Sequence, residues 1–157
     1  MRQSRRSTDY KVVPFTADHA EDLQARNTSG ATIGLNHIVK EYLDAMALPG
    51  HGFSLVNNGH LIFSAGVYPV WKGLGEAWVI PSDLIKPHRR QLVTYVREYL
   101  DRLVEENEYR RVQATVRADF DAGHRFIEFL GFQREAMLEA YGPDGADHVQ
   151  YARLIKW

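Results

Sequence analysis

A chain of 157 residues, 45% hydrophobic and 25% charged, is long enough for one domain with a buried core. Its formal net charge of −1 supplies no long-range field to gather nucleic acid or an anionic membrane. With no cysteine, a disulfide framework and thiolate catalysis are excluded, and no apolar run approaches the roughly 20 residues that cross a bilayer.

Residues Met1 to Thr8 are basic and polar with no apolar stretch behind them, so they read as a solvated tail and not a signal peptide. A flexible basic tail is expected over 1–9 and a single domain over 10–157, in a cytoplasmic setting. Tyr10 to Phe15 is a β-type run. Thr16 is a good N-cap for a helix through Leu23, with Asp18 and Glu21 at its positive end. Asn27 to Gly30 breaks the pattern. A second helix is expected from about Ile33 to Ala47, carried by Leu35, Ile38, Val39, Tyr42 and Met46 and stopped by Pro49-Gly50.

The middle of the chain alternates as a sheet does. Phe53–Val56 and Leu61–Tyr68 flank Asn57-Asn58-Gly59, a tight-turn signal for an antiparallel hairpin. A turn at Trp71–Gly75 leads to a third strand, Glu76–Ile80. Pro87 suits a first helical position, and Leu92, Val93, Val96, Leu100, Leu103 and Val104 make one apolar stripe to about Glu106. Arg111–Val116 is the next strand, followed by a short helix from Asp121 that ends at Gly131. Two closing strands, Phe132–Tyr141 and His148–Ile155, are joined by Gly142-Pro-Asp-Gly145. This order predicts an α+β domain with a mostly antiparallel sheet, helices on both faces, and one parallel pair.

Three stretches carry a resemblance to the GNAT acetyltransferases. Val12 to Leu23 looks like the family's opening strand and helix, Val116 to Phe132 like its segment ending in Gly-Phe, and the closing hairpin also fits. The run Arg117–Phe132 with Tyr141–Gly145 more closely resembles GNAT-like proteins encoded by tailed bacteriophages, some of them internal virion or morphogenesis proteins. The resemblance implies acetyl-CoA lying in a splay between Glu76–Ile80 and Arg111–Val116, its pantetheine arm on the backbone of Val79 and Ile80. It also implies the pyrophosphate at the start of the following helix.

The family's glycine loop is absent at that place. The sequence reads Asp83-Leu-Ile-Lys-Pro-His-Arg-Arg-Gln91, with no glycine and with Pro87 lacking an N–H. Lys86, His88, Arg89 and Arg90 stand instead where cations oppose the helix dipole by about 0.3–1 kcal/mol each. They read either as side-chain phosphate ligands or as solvated cations pairing with carboxylates such as Asp83.

Amine acetylation needs a base, an acid and donors for the developing oxyanion. Glu76 begins the matching strand, shares a face with Trp78 and Ile80, and reads as the base or as a solvated strand-end carboxylate. The family's usual acid, a Tyr, corresponds to Ile127, and its helix-leading Asn to Phe120. His124 reads as a substitute acid or as a structural histidine, and Tyr141 and Tyr151 as substitutes or as packing. Trp71 and Trp78 read as an acceptor pocket or as core. The seven histidines are scattered, so no metal is expected, and no Gly-x-Ser-x-Gly elbow occurs.

Two functions are therefore expected. One is an acetyl-CoA-dependent N-acetyltransferase acting on a small-molecule or protein amine. The other is a catalytically degenerate GNAT-fold protein of a phage particle, with virion proteins or further copies of itself as partners. It would act in the host cytoplasm or the virion.

Overall fold

In the computed structural model, residues 9–26, 32–34 and 40–155 are described. The basic tail expected over 1–9, apart from Asp9, lies outside them, as do the break at 27–30 and residues 35–39 of the expected second helix.

Seven strands form one sheet in the order β1-β2-β3-β4-β5-β7-β6. The elements run β1 (Tyr10–Pro14), α1 (Ala17–Arg26), α2 (Lys40–Met46), β2 (Gly52–Asn57), β3 (His60–Trp71) and β4 (Leu74–Pro81). A 3₁₀ turn (Lys86–His88) then leads into α3 (Arg89–Glu106), β5 (Arg111–Arg117), α4 (Asp121–Phe129), β6 (Gln133–Leu138) and β7 (His148–Leu154). Every strand pair is antiparallel except β4–β5. The expected α+β class, the hairpin and the single parallel pair are all present.

Local chemistry explains the boundaries. Thr16 Oγ1 accepts the N–H of His19 at 3.3 Å and caps α1. Asn58 (φ 50°) and Gly59 (φ 77°) both adopt the left-handed region, which suits the two-residue turn of a twisted hairpin. The β4–α3 connection departs from expectation. Pro87 falls inside the 3₁₀ turn, and the α-helix starts two residues later. The expected start of the second helix is also corrected. Ile33 forms an antiparallel bridge to Val79, and Gly34 sits at φ 90°, where no right-handed helix begins.

The sheet separates two cores. On one face α3 and α4 bury Val96, Leu100, Leu103, Val104, Ile127 and Leu130 against Phe53, Phe63, Val79, Val112 and Tyr151. On the other, Phe15, Ala20, Leu23 and Met46 pack on Tyr68, Trp78 and Ile80. Each large side chain so buried contributes about 1.5–3 kcal/mol. Trp78 belongs to this second core, its ring 4.6 Å from Phe15. Trp71 stands 65% exposed at the end of β3.

Candidate active site

Parallel pairing between β4 and β5 covers three rungs: Leu74 with Arg111, Gly75 with Val112, and Glu76 with Gln113. Beyond Glu76 the strands are no longer paired, so the backbone groups on their facing edges need other partners. They find them in the segment between α1 and α2. Ile33 N–H donates to the Val79 carbonyl at 3.0 Å, and Val79 N–H donates back to the Ile33 carbonyl at 3.0 Å. Gly34 N–H then donates to the Thr115 carbonyl at 2.8 Å, while Thr115 Oγ1–H donates to the Gly34 carbonyl at 2.9 Å. Gly34 fits because it lies against the opposite strand. A Cβ there would stand 2.8 Å from the Ala77 carbonyl oxygen and 3.0 Å from Trp78 Cβ. An apolar cavity of about 20 Å³ remains behind Ile33, bordered by Ala77, Val79, Tyr99 and Phe126, with room for one water.

Glu76 occupies the last paired rung, where the strands begin to part. Its Oε2 accepts a hydrogen bond from Gln113 Nε2–H at 2.9 Å. Gln113 Oε1 accepts in turn from Arg111 Nε–H at 2.9 Å, and Arg111 forks onto both carboxylate oxygens of Glu135. A polar chain thus crosses from β6 to β4 on the face that carries Trp78 and Ile80. Burial raises the Glu76 pKa above its ordinary carboxylate value, and the Gln113 hydrogen bond and the Arg111 charge partly oppose the rise. The Arg111 fork lowers the pKa of Glu135.

The other candidates are not gathered around Glu76. His124 is buried on α4, on the opposite face of the sheet. One ring nitrogen lies 3.0 Å from the Ala118 carbonyl, which only accepts, so Nε2 carries a hydrogen there. The other lies 2.7 Å from the Tyr151 hydroxyl, itself 3.2 Å from Glu128 Oε1. This arrangement ties α4 to β7. Tyr141 is 55% exposed in the β6–β7 connection, its ring 5.2 Å from that of His148. His148 pairs with Arg117, four residues along β5 from Gln113, or roughly 13 Å. Ile127, in the acid's place, is buried among core side chains.

The cofactor-side residues divide as well. Val79 presents its backbone to the splay. Ile80, by strand alternation, turns its N–H and C=O toward Ser64 on β3 and its side chain into the second core. His88 Nδ1 is 2.8 Å from the Tyr10 hydroxyl, which anchors the 3₁₀ turn to β1. Lys86, Arg89 and Arg90 are exposed, and among the described residues no ion pair holds them.

Sequence reasoning missed Gln113, Arg111, Glu135, Thr115 and Ile33-Gly34. One signal was available for the last pair. A glycine at the second position of an expected helix is a poor helix residue and marks close backbone approach.

No protein family's sequence profile matches the chain, and no curated protein sequence does. Solved structures do match its shape. Ard1 from Thermoplasma volcanium is 18% identical with a TM-score of 0.76, over 94% of this chain and 99% of its own. RimL, a ribosomal-protein acetyltransferase in complex with coenzyme A, is 12% identical with a TM-score of 0.72, over 96% and 97%. A mutant of the SpeG spermidine N-acetyltransferase from Vibrio cholerae is 12% identical with a TM-score of 0.70, over 94% and 95%. The chain has the GNAT fold.

Proposed function

We propose that this chain is an acetyl-CoA-dependent N-acetyltransferase whose acceptor is an amine of a small molecule or a protein. The observation that carries this reading is Glu76: a carboxylate at the apex of the β4–β5 splay, oriented by Gln113, with its pKa raised by burial. A fold shared with N-acetyltransferases is consistent with the reading but leaves the chemistry to the site.

The groups facing the splay fit an amide-bearing arm, because a peptide segment already uses them. Val79 N–H and C=O, with the Thr115 carbonyl, would hold the pantetheine once Ile33 and Gly34 withdraw. Lys86, Arg89 and Arg90 would meet the phosphates from the exposed start of α3, as charge-assisted donors in place of backbone amides. Acetyl-CoA supplies the thioester carbonyl. Glu76 takes the proton of the attacking amine, directly or through one water, and its raised pKa brings it nearer the operating pH of a general base. Tyr141 and His124 lie away from Glu76, so proton delivery to the departing thiolate is assigned to solvent. Isothermal titration with acetyl-CoA and with CoA tests the reading. Saturable binding in the micromolar range is expected, and no heat at high micromolar cofactor overturns it.

A second reading, a catalytically silent GNAT-fold assembly protein of a phage particle, draws on one observation. The cleft is closed by the chain's own backbone, and Ile127 stands where an acid is expected. Absence of cofactor binding together with co-purification with phage particles favours it. A monomer that never accompanies particles removes it.

A further inference from the structure

We infer that Ile33-Gly34 is an internal strap that closes the β4–β5 cleft, so that the cofactor binds only after the strap leaves. This inference rests on the acetyl-CoA reading above and adds a control step to it.

Each half of the closure has a distinct chemistry. Ile33 and Val79 exchange both backbone hydrogen bonds, which is how a strand is added to a sheet edge. Gly34 completes the crossing by bonding Thr115 on the far strand, once through its N–H and once through its carbonyl. Four hydrogen bonds therefore connect the strap to both strands that part beyond Glu76. They occupy the edge groups an extended amide-bearing ligand would need, and two chains cannot bond the same N–H and C=O together. The Ile33 side chain, 5% exposed, fills the space behind, and the cavity that remains admits about one water. Binding is then limited by the fraction of molecules with the strap out, so apparent affinity falls by that fraction.

Three variants change the strap's occupancy and little else. Thr115→Val is close to isosteric and removes the hydroxyl that holds the Gly34 carbonyl. Loss of one net hydrogen bond should tighten acetyl-CoA binding about 2- to 10-fold. Gly34→Ala places a Cβ against the Ala77 carbonyl at a φ that disfavours side chains, and should tighten it about tenfold or more. The reverse test uses the chain's lack of cysteine. A hydrogen-bonded antiparallel pair sets Cα atoms about 5.5 Å apart, within disulfide range. Ile33→Cys combined with Val79→Cys should therefore cross-link the strap shut. The oxidised protein should lose acetyl-CoA binding in calorimetry, and the reduced protein should regain it.

Amide hydrogen exchange on the unliganded wild type supplies the readout independent of cofactor. Val79 and Gly34 N–H should be protected, and Gly34→Ala should expose Val79. Equal acetyl-CoA affinity in the oxidised pair, the wild type and Gly34→Ala overturns the strap. So does fast exchange at Val79 and Gly34 in the wild type. If neither the reduced pair nor Gly34→Ala binds acetyl-CoA while Val79 and Gly34 stay protected, the acetyltransferase reading fails. The control step fails with it, leaving a closed sheet.

Discussion

Gln113 on β5 donates its Nε2–H to Oε2 of Glu76 on β4 at 2.9 Å, across the last rung at which the two strands are paired. The contact fixes the carboxylate's orientation where the strands part and favours its ionised form. Burial of the same group favours the neutral form and has the larger effect, so the pKa stays raised.

A general base must be ionised to act, and proton removal by a positioned base contributes about 10²- to 10⁴-fold. Glu76→Gln should therefore lower the acetyl-transfer rate by that range while leaving acetyl-CoA affinity unchanged, as read by a free-thiol release assay and calorimetry. Gln113→Leu should keep a measurable rate but move the acidic limb of the pH–rate profile upward, because the one hydrogen bond that lowers the Glu76 pKa is gone. An unmoved limb would show that Glu76 is not the titrating base.

The same raised pKa sets a stability trend. Between the ordinary value of 4.5 and the higher folded value, the native state binds more protons than the unfolded chain. Stability contributed by Glu76 is thus fully present below 4.5 and is lost as pH rises through the folded value. Urea denaturation of wild type and Glu76→Gln at stepped pH should show the variant gaining on the wild type over that window. A constant difference would contradict the sign.

Most of the architecture was legible because it is local. Asn58-Gly59 specifies its own turn, the Val96–Val104 stripe its own helix, and Thr16 its own cap. What was illegible is non-local. Nothing near Ile33 says that it will meet Val79, and the helical spacing of Leu35, Ile38 and Val39 drew the expected helix back over Ile33 and Gly34, which are not helical. Gln113 reads in sequence as one residue of a strand, and only the parallel register with β4 turns it toward Glu76. His124 was legible as a titratable group, but not as one whose ring nitrogens face Tyr151 and Ala118.

That histidine gives a coupling test. Removing the ring by His124→Ala leaves the buried Tyr151 hydroxyl without its 2.7 Å partner, and the cavity adds to the penalty. A loss of about 2–4 kcal/mol is expected from urea denaturation. Adding Tyr151→Phe should then cost less than it does alone, since the hydroxyl's 2.7 Å partner is already gone and only its bond to Glu128 remains to be lost. Strict additivity would mean that the two side chains do not depend on each other.

Lys86, Arg89 and Arg90 are solvent-exposed, so each should contribute little individually. Single changes to Ala are expected to weaken acetyl-CoA binding about 2- to 5-fold, and the triple change to flatten its salt dependence. Calorimetry at two ionic strengths measures both. Unaltered affinity in the triple variant would remove these residues from the phosphate site and leave the 3₁₀ turn, anchored through His88 and Tyr10, with a packing role alone.

The second core offers a prediction about stability that does not depend on function. Gly66 on β3 faces Trp78, and a Cβ there would press directly on the His51 carbonyl oxygen, lie 2.8 Å from Gly52 Cα and lie 2.9 Å from Trp78 Cζ2. Two of these three neighbours are backbone, and Trp78 is held by Phe15, so none can move cheaply. Gly66→Ala should therefore destabilise the fold by about 3 kcal/mol through overpacking, although Ala is normally the better strand residue. The denaturant midpoint should fall with the m-value unchanged. Because Trp78 and Glu76 lie on one face of β4, the folded fraction of the variant should also show a displaced Glu76 and a lower acetyl-transfer rate. A midpoint that held would show that β2 and β3 are not as closely packed against Trp78 as these distances require.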